Sequence, residues 1–187
     1  LPSDEARDGI LRDSTLTVIA FRDGILAGDR LVTSNYGGRV GHRSKIFRTS
    51  AEGSHYGFSG PIGAAAIFTR WLAEGGTLKD APDLDEHQAI EIRSGNRVAL
   101  SSGKRPIFIE VEAPFYAIGS GWQLALGAME MGATAEQAVE VAIRHDEGCG
   151  GQIDVIRCYE QAMQFAPQAA AVTFPNRIDP IHLGGPR

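Results

Sequence analysis

The chain has 187 residues, 43% of them hydrophobic, and a formal charge of −5. That content supports one compact domain with a sizeable core, and an acidic balance without a lysine–arginine run argues against nucleic acid as a partner. No apolar run reaches the ~18 residues of a membrane span and no signal-peptide core is visible, so the expectation is a protein of the cytoplasm, or of a particle assembled there.

The first element in chain order is a hairpin over residues 17–30, turning at Asp23-Gly24, a dipeptide suited to positive φ and flanked by apolar strand formers. Reading outward from the turn, Arg22 faces Ile25, Val18 faces Asp29 and Thr17 faces Arg30. Paired strands lie about 5 Å apart, so Asp29 is next door to Thr17 across the ladder. The same arithmetic sets Thr15 opposite Val32, away from any carboxylate, and makes Thr17 the candidate nucleophile. A second hairpin is predicted over residues 30–36 and 40–48, joined by Gly37-Gly38; it carries Lys45, whose ammonium would complete a threonine–aspartate–lysine cluster.

A strand over residues 55–59 precedes a helix opened by Pro61, with Ile62, Ala65, Ala66, Thr69 and Leu72 on one face and Gly75-Gly76 at its end. Residues 77–87 read as a polar surface connection. Strands follow over 89–93, 97–101, 107–111 and 115–118, the middle pair turning at Ser102-Gly103-Lys104. Two helices come next, one over 121–131 closed by Gly132, the other opened by the capping box Thr134 to Gln137 and burying Ala138, Val139, Ala142 and Ile143. A last strand covers 152–158. This order suits an α+β fold, a four-layer α/β/β/α sandwich of antiparallel sheets. The domain spans 17–163; residues 1–16 form an N-terminal extension and 164–187 an irregular, proline-rich arm. Two cysteines make no disulfide framework, and five histidines without ligand spacing imply no metal.

Five motifs recur in order: Ala27-Gly28-Asp29-Arg30 with Thr33 following; Lys45 before an apolar residue; Gly57-Phe58-Ser59-Gly60 leading into a helix; Ala117-Ile118-Gly119-Ser120-Gly121 leading into another; and Asp146 through Cys149-Gly150-Gly151. In this set the chain resembles the N-terminal-nucleophile (Ntn) hydrolases, within them the proteasome β-subunit family and its bacterial and phage-borne branch. The resemblance implies a threonine peptidase in which the Thr17 hydroxyl attacks a peptide carbonyl and its own α-amine, titrating near pH ~8, is the base. Lys45 would lower the hydroxyl pKa, and Asp29 would hold that ammonium in place and protonated. The Gly60 N–H would donate to the oxyanion, Thr33 would pair with the substrate main chain, Phe58 would shape the pocket, and Ser120, Asp146 and Cys149 would support the threonine.

The resemblance further implies peptide or unfolded-protein substrates, no cofactor, a homo-oligomeric, stacked ring, and in some relatives an ATP-dependent unfoldase. The amine must be freed by loss of residues 1–16, and Leu16 stands where the family commonly keeps glycine before the threonine. Leu16 motivates an alternative: a catalytically silent assembly protein, for instance of a phage particle, that keeps the fold. A third reading is an amidohydrolase of small molecules.

Overall fold

The computed structural model of the chain describes residues 16–34, 38–49 and 53–158. The extension up to Thr15, the arm over 164–187 and Gly37 of the expected second turn lie outside the described residues.

The first hairpin is β1 (Ile19–Arg22) and β2 (Ile25–Asp29), and its turn takes positive φ at both Asp23 (49°) and Gly24 (73°). Arg22 pairs with Ile25 and Ile19 with Gly28, and the Asp29 N–H donates to the Val18 carbonyl at 3.1 Å, so the register is the one the turn dictates. With β10 (Phe115–Ile118) against β1 and β11 (Ile153–Arg157) against β2, it forms a four-stranded antiparallel sheet in the order β10-β1-β2-β11. A second antiparallel sheet runs β5 (Ile46–Arg48), β6 (His55–Ser59), β7 (His87–Arg93), β8 (Arg97–Gly103) and β9 (Ile109–Val111) in sequence order.

The expected single hairpin over 30–48 is divided. Its first part is a short ribbon of β3 (Leu31–Thr33) with β4 (Arg39–His42). The Arg43 N–H still bonds the Arg30 carbonyl at 2.8 Å, but the Lys45 carbonyl already accepts from Phe58 N–H at 3.0 Å. Residues 43–45 therefore cross from ribbon to second sheet, and the crossing carries Lys45 to the end of β2. After Asp29 the N–H groups of Arg30 and Leu31 turn to the Gly150 carbonyl, and Val32 pairs with Gly41.

Strand alternation separates three cores. Val18, Ala20, Ala27 and Ala117 face helices α2 (Trp122–Glu130) and α3 (Ala135–His145), meeting Ala125, Met129, Ala138, Val139 and Ala142. These small side chains let helix and sheet approach closely. Ile19, Phe21, Leu26 and Ile118 face Ile46, Ile90, Ile92 and Val98 across the two sheets. Gly57 is needed there, because a Cβ on it would stand 2.8 Å from Ile19. On the far side Tyr56, Phe58, Leu84 and Ala89 pack with α1 (Ile62–Ala73) through Ala64 and Phe68. The layers are thus α/β/β/α.

The deepest burial of α1 falls on two residues outside the expected stripe. Ala64 and Phe68 are buried and Ile62 is 43% exposed. The periodic set Ile62, Ala65 and Thr69 instead borders the cavity described below. The 77–87 connection is polar but anchored, with Ala81 and Leu84 buried and Leu84 N–H bonded to the Lys104 carbonyl. β8 runs on through Ser102 and Gly103, which pair with Gln88 and His87, so the expected turn at that point is strand. Gly132 takes φ +97° after α2, and the Thr134–Gln137 capping box is formed in both directions.

Candidate active site

Asp29, at the end of β2, is fully buried. Its Oδ1 accepts from the Thr17 hydroxyl at 2.6 Å, the Val18 N–H at 3.0 Å and Lys45 Nζ at 2.8 Å. Its Oδ2 accepts from the N–H groups of Leu31 at 3.1 Å and Gly150 at 3.0 Å. A buried carboxylate survives only with such a complete shell. The shell joins β1, β2, the 43–45 crossing and the loop before β11 at one atom pair.

The Lys45 side chain is 12% exposed, and Nζ also donates to the Leu16 carbonyl at 3.3 Å. Burial pulls the Lys45 pKa below the ordinary lysine value. The attraction and hydrogen bond of Asp29 oppose that shift without cancelling it. Asp29 hydrogen-bonds the ammonium, while burial makes its proton easier to release.

Thr17 is 2% exposed, and its N–H donates to Ser120 Oγ at 3.2 Å. The Thr17 carbonyl accepts from Gly121 N–H at 3.1 Å and from the Ser120 hydroxyl at 3.3 Å. This pairing needs Gly119 at φ +93°, where a Cβ would fall 2.3 Å from the Thr17 carbonyl oxygen. Ser120 lies 3.8 Å from Cys149 Sγ, and that thiol donates to Asp146 Oδ2 at 3.4 Å. Burial, reinforced by the charges of Asp29 and Asp146, pushes the Cys149 thiol up to about 12. It remains a protonated donor and is no thiolate nucleophile.

Burial alone would raise the Asp146 carboxyl; the Gly148 N–H, Ser120 and Cys149 hydrogen bonds outweigh it and hold the pKa below the ordinary value. The folded state therefore keeps this charge to lower pH than the unfolded chain does. Its stabilisation is present above the unfolded pKa and is lost as pH falls through the folded one. Asp146→Asn is expected to flatten the acid limb of a melting temperature against pH curve, leaving the limb above pH ~5 parallel to the parent.

Thr17, Lys45, Phe58 and Gly60 line one cavity of about 200 Å³, with Val32, Phe47, Ile62 and Ala65 among the other walls. Thr33 lies on β3 and is 9% exposed, outside the cluster around Asp29; its neighbour Val32 is the cavity residue of that strand. Two partners escaped the sequence reading. Gln88 reaches from β7 to accept the Gly119 N–H at 2.8 Å, and Gly150 serves Asp29 and β3 through its main chain. A backbone ligand leaves no residue-type signal, whereas the inward polar Gln88 beside the apolar stretch of β7 was a visible one. Among the described residues no group of three His, Cys, Asp or Glu side chains is placed to hold a metal, and no helix is long and apolar enough to cross a membrane.

No family model and no curated protein sequence matches the chain. Solved structures do. The chain is similar to BPH of Thiobacillus denitrificans, solved with epoxomicin, at 21% identity and TM-score 0.55 over 75% of this chain and 96% of that one. It is similar to the Gly-1 mutant of Anbu from Hyphomicrobium sp. strain MC1 at 16% identity and TM-score 0.56, covering 74% and 79%. It is also similar to HslV of Trypanosoma brucei at 19% identity and TM-score 0.53, covering 75% and 97%. The fold is the proteasome-like Ntn-hydrolase fold.

Proposed function

We propose that the chain is a threonine-type peptidase of the proteasome-related class, acting on peptide or unfolded-protein substrates within a homo-oligomeric ring. The observation that carries this is the buried Asp29–Lys45 pair beside a cavity, at the point where β1 begins. Such a pair is costly to bury, and here its ammonium borders the open space where a hydroxyl can meet a carbonyl.

The nucleophile of this reading is Thr15 rather than Thr17. The Thr17 hydroxyl is buried and committed to Asp29, and no hydrogen bond joins it to Lys45 among the described residues. Lys45 Nζ points instead to the Leu16 carbonyl, toward the preceding part of the chain. Thr15 itself lies outside the described residues. In the reaction, a free α-amine takes the hydroxyl proton as oxygen attacks the carbonyl carbon, and the Gly60 N–H meets the developing oxyanion. The amine then gives its proton to the leaving nitrogen, and water hydrolyses the ester.

A second assignment keeps Thr17 as nucleophile. It is favoured by Lys45 holding the Leu16 carbonyl, the carbonyl of the bond that would have to break to free the Thr17 amine. In both, Ser120, Asp146 and Cys149 support the strand from the α2 side. The test is maturation and inhibition. The purified protein is expected to begin at Thr15 by intact mass, to cleave fluorogenic peptide amides, and to be inhibited by epoxomicin, the compound seen with BPH. Begin at Thr17 and the second assignment holds. An uncut chain that hydrolyses nothing favours the silent assembly protein.

A further inference from the structure

We propose that Arg43 gives the cavity a preference for a substrate side chain bearing a carboxylate. The inference rests on the peptidase reading and names the substrate class of that same site.

The cavity, about 200 Å³, is the size of one side chain rather than of an extended ligand. Phe47, Phe58, Ile62 and Ala65 make much of its wall apolar. Two cationic residues interrupt that wall, Lys45 and Arg43. Lys45 is neutralised by Asp29 at 2.8 Å. Arg43 is half-buried, its backbone fixed by the 2.8 Å bond to the Arg30 carbonyl, and its guanidinium has no ion pair or hydrogen bond among the described residues. Arg30, on the other side of that bond, is by contrast paired with Asp154 at 3.0 Å.

A guanidinium presents a planar fork of donors that matches a carboxylate with two parallel hydrogen bonds, and it stays charged at any working pH. Beside apolar walls such a pair is worth more than in water. A substrate glutamate or aspartate would bring its own charge to meet Arg43. A lysine or arginine would meet the uncompensated like charge of Arg43, and a leucine would leave the guanidinium desolvated and unpaired. The segment that supplies Arg43 also supplies Lys45, so the same crossing sets both chemistry and selectivity.

The full chain, matured as it exists, is assayed on capped peptide amides that differ only in the residue before the reporter: Glu, Leu or Arg. The expected kcat/KM for Glu exceeds that for Leu by about tenfold or more. Arg43→Met is expected to bring the Glu-to-Leu ratio to one or below, and Arg43→Glu to raise the Arg peptide above the Glu peptide. A parent that prefers Leu, or a ratio unmoved in Arg43→Met, overturns the inference while leaving the peptidase reading standing. A parallel Leu peptide with a free C-terminal carboxylate separates the two sources of that group; its preference over the capped Glu peptide overturns the side-chain assignment. If no peptide is cleaved, the peptidase reading fails by itself. Calorimetric binding of the capped Glu peptide against its Gln counterpart then decides, with about tenfold weaker Glu binding in Arg43→Met expected and equal affinities overturning it.

Discussion

Thr15→Ala is expected to abolish hydrolysis of peptide amides, by on the order of 10⁴-fold or more, with an unchanged melting temperature. Thr17→Ala is expected to act through stability instead. It removes one of the donors on a fully buried carboxylate, leaving Asp29 with Val18, Lys45, Leu31 and Gly150. Loss of a charge-assisted bond at a buried site costs about 1–3 kcal/mol. For a domain of this size that is several degrees in melting temperature. Thr17→Ser keeps the hydroxyl and is expected to restore most of that loss. The pair of readouts separates the threonines: an active Thr15→Ala protein together with a stable, inactive Thr17→Ala protein would return the nucleophile to Thr17.

The ambiguity between the two threonines shows where sequence reasoning carries and where it stops. The register of β1 and β2 was legible because Asp23-Gly24 fixes the turn, and alternation from there places Val18 opposite Asp29 without further information. The capping box of α3 and the glycine after α2 were legible for the same reason, since the geometry is local. The expectation failed where a strand leaves one sheet for another. The crossing at Arg43–Lys45 falls within the polar run His42-Arg43-Ser44-Lys45, which interrupts the apolar pattern but does not say which strand takes over the hydrogen bonds. Val32 leaves the first ladder at an earlier point, where the N–H groups of Arg30 and Leu31 turn to the Gly150 carbonyl.

The site was legible in part: Asp29 followed from the register of the first hairpin, Lys45 was a charge in an otherwise β-rich segment, and Asp146 came only from the motif resemblance. Their main-chain partners were not legible. Gly150 could be read as a turn glycine, but not as the donor to Asp29 Oδ2 from more than a hundred residues away. The α1 periodicity marks one face without saying what that face meets, since a stripe at helical spacing lines either a core or a cavity, and Ile62, Ala65 and Thr69 line the cavity.

The other large effect falls on Lys45. Lys45→Met is expected to lower the melting temperature by about 10 °C and to remove hydrolysis, because it leaves the charge of Asp29 buried without its cation. Breaking such a pair from one side costs about 3–5 kcal/mol, a large share of a typical 5–15 kcal/mol total. The pH dependence isolates the lysine's own part. Burial lowers its folded pKa, so between that value and the unfolded 10.5 the unfolded chain holds more protons than the native one. Stability from this group therefore rises with pH across that window. Lys45→Met lacks the group, so its melting curve is expected to lose that alkaline rise while sitting below the parent throughout neutral pH. Retention of the rise in Lys45→Met would show that another group titrates there. A variant as stable as the parent would mean that Leu31, Gly150, Val18 and Thr17 suffice to hold Asp29, and the pair would then lose its claim to be the structural heart of the site.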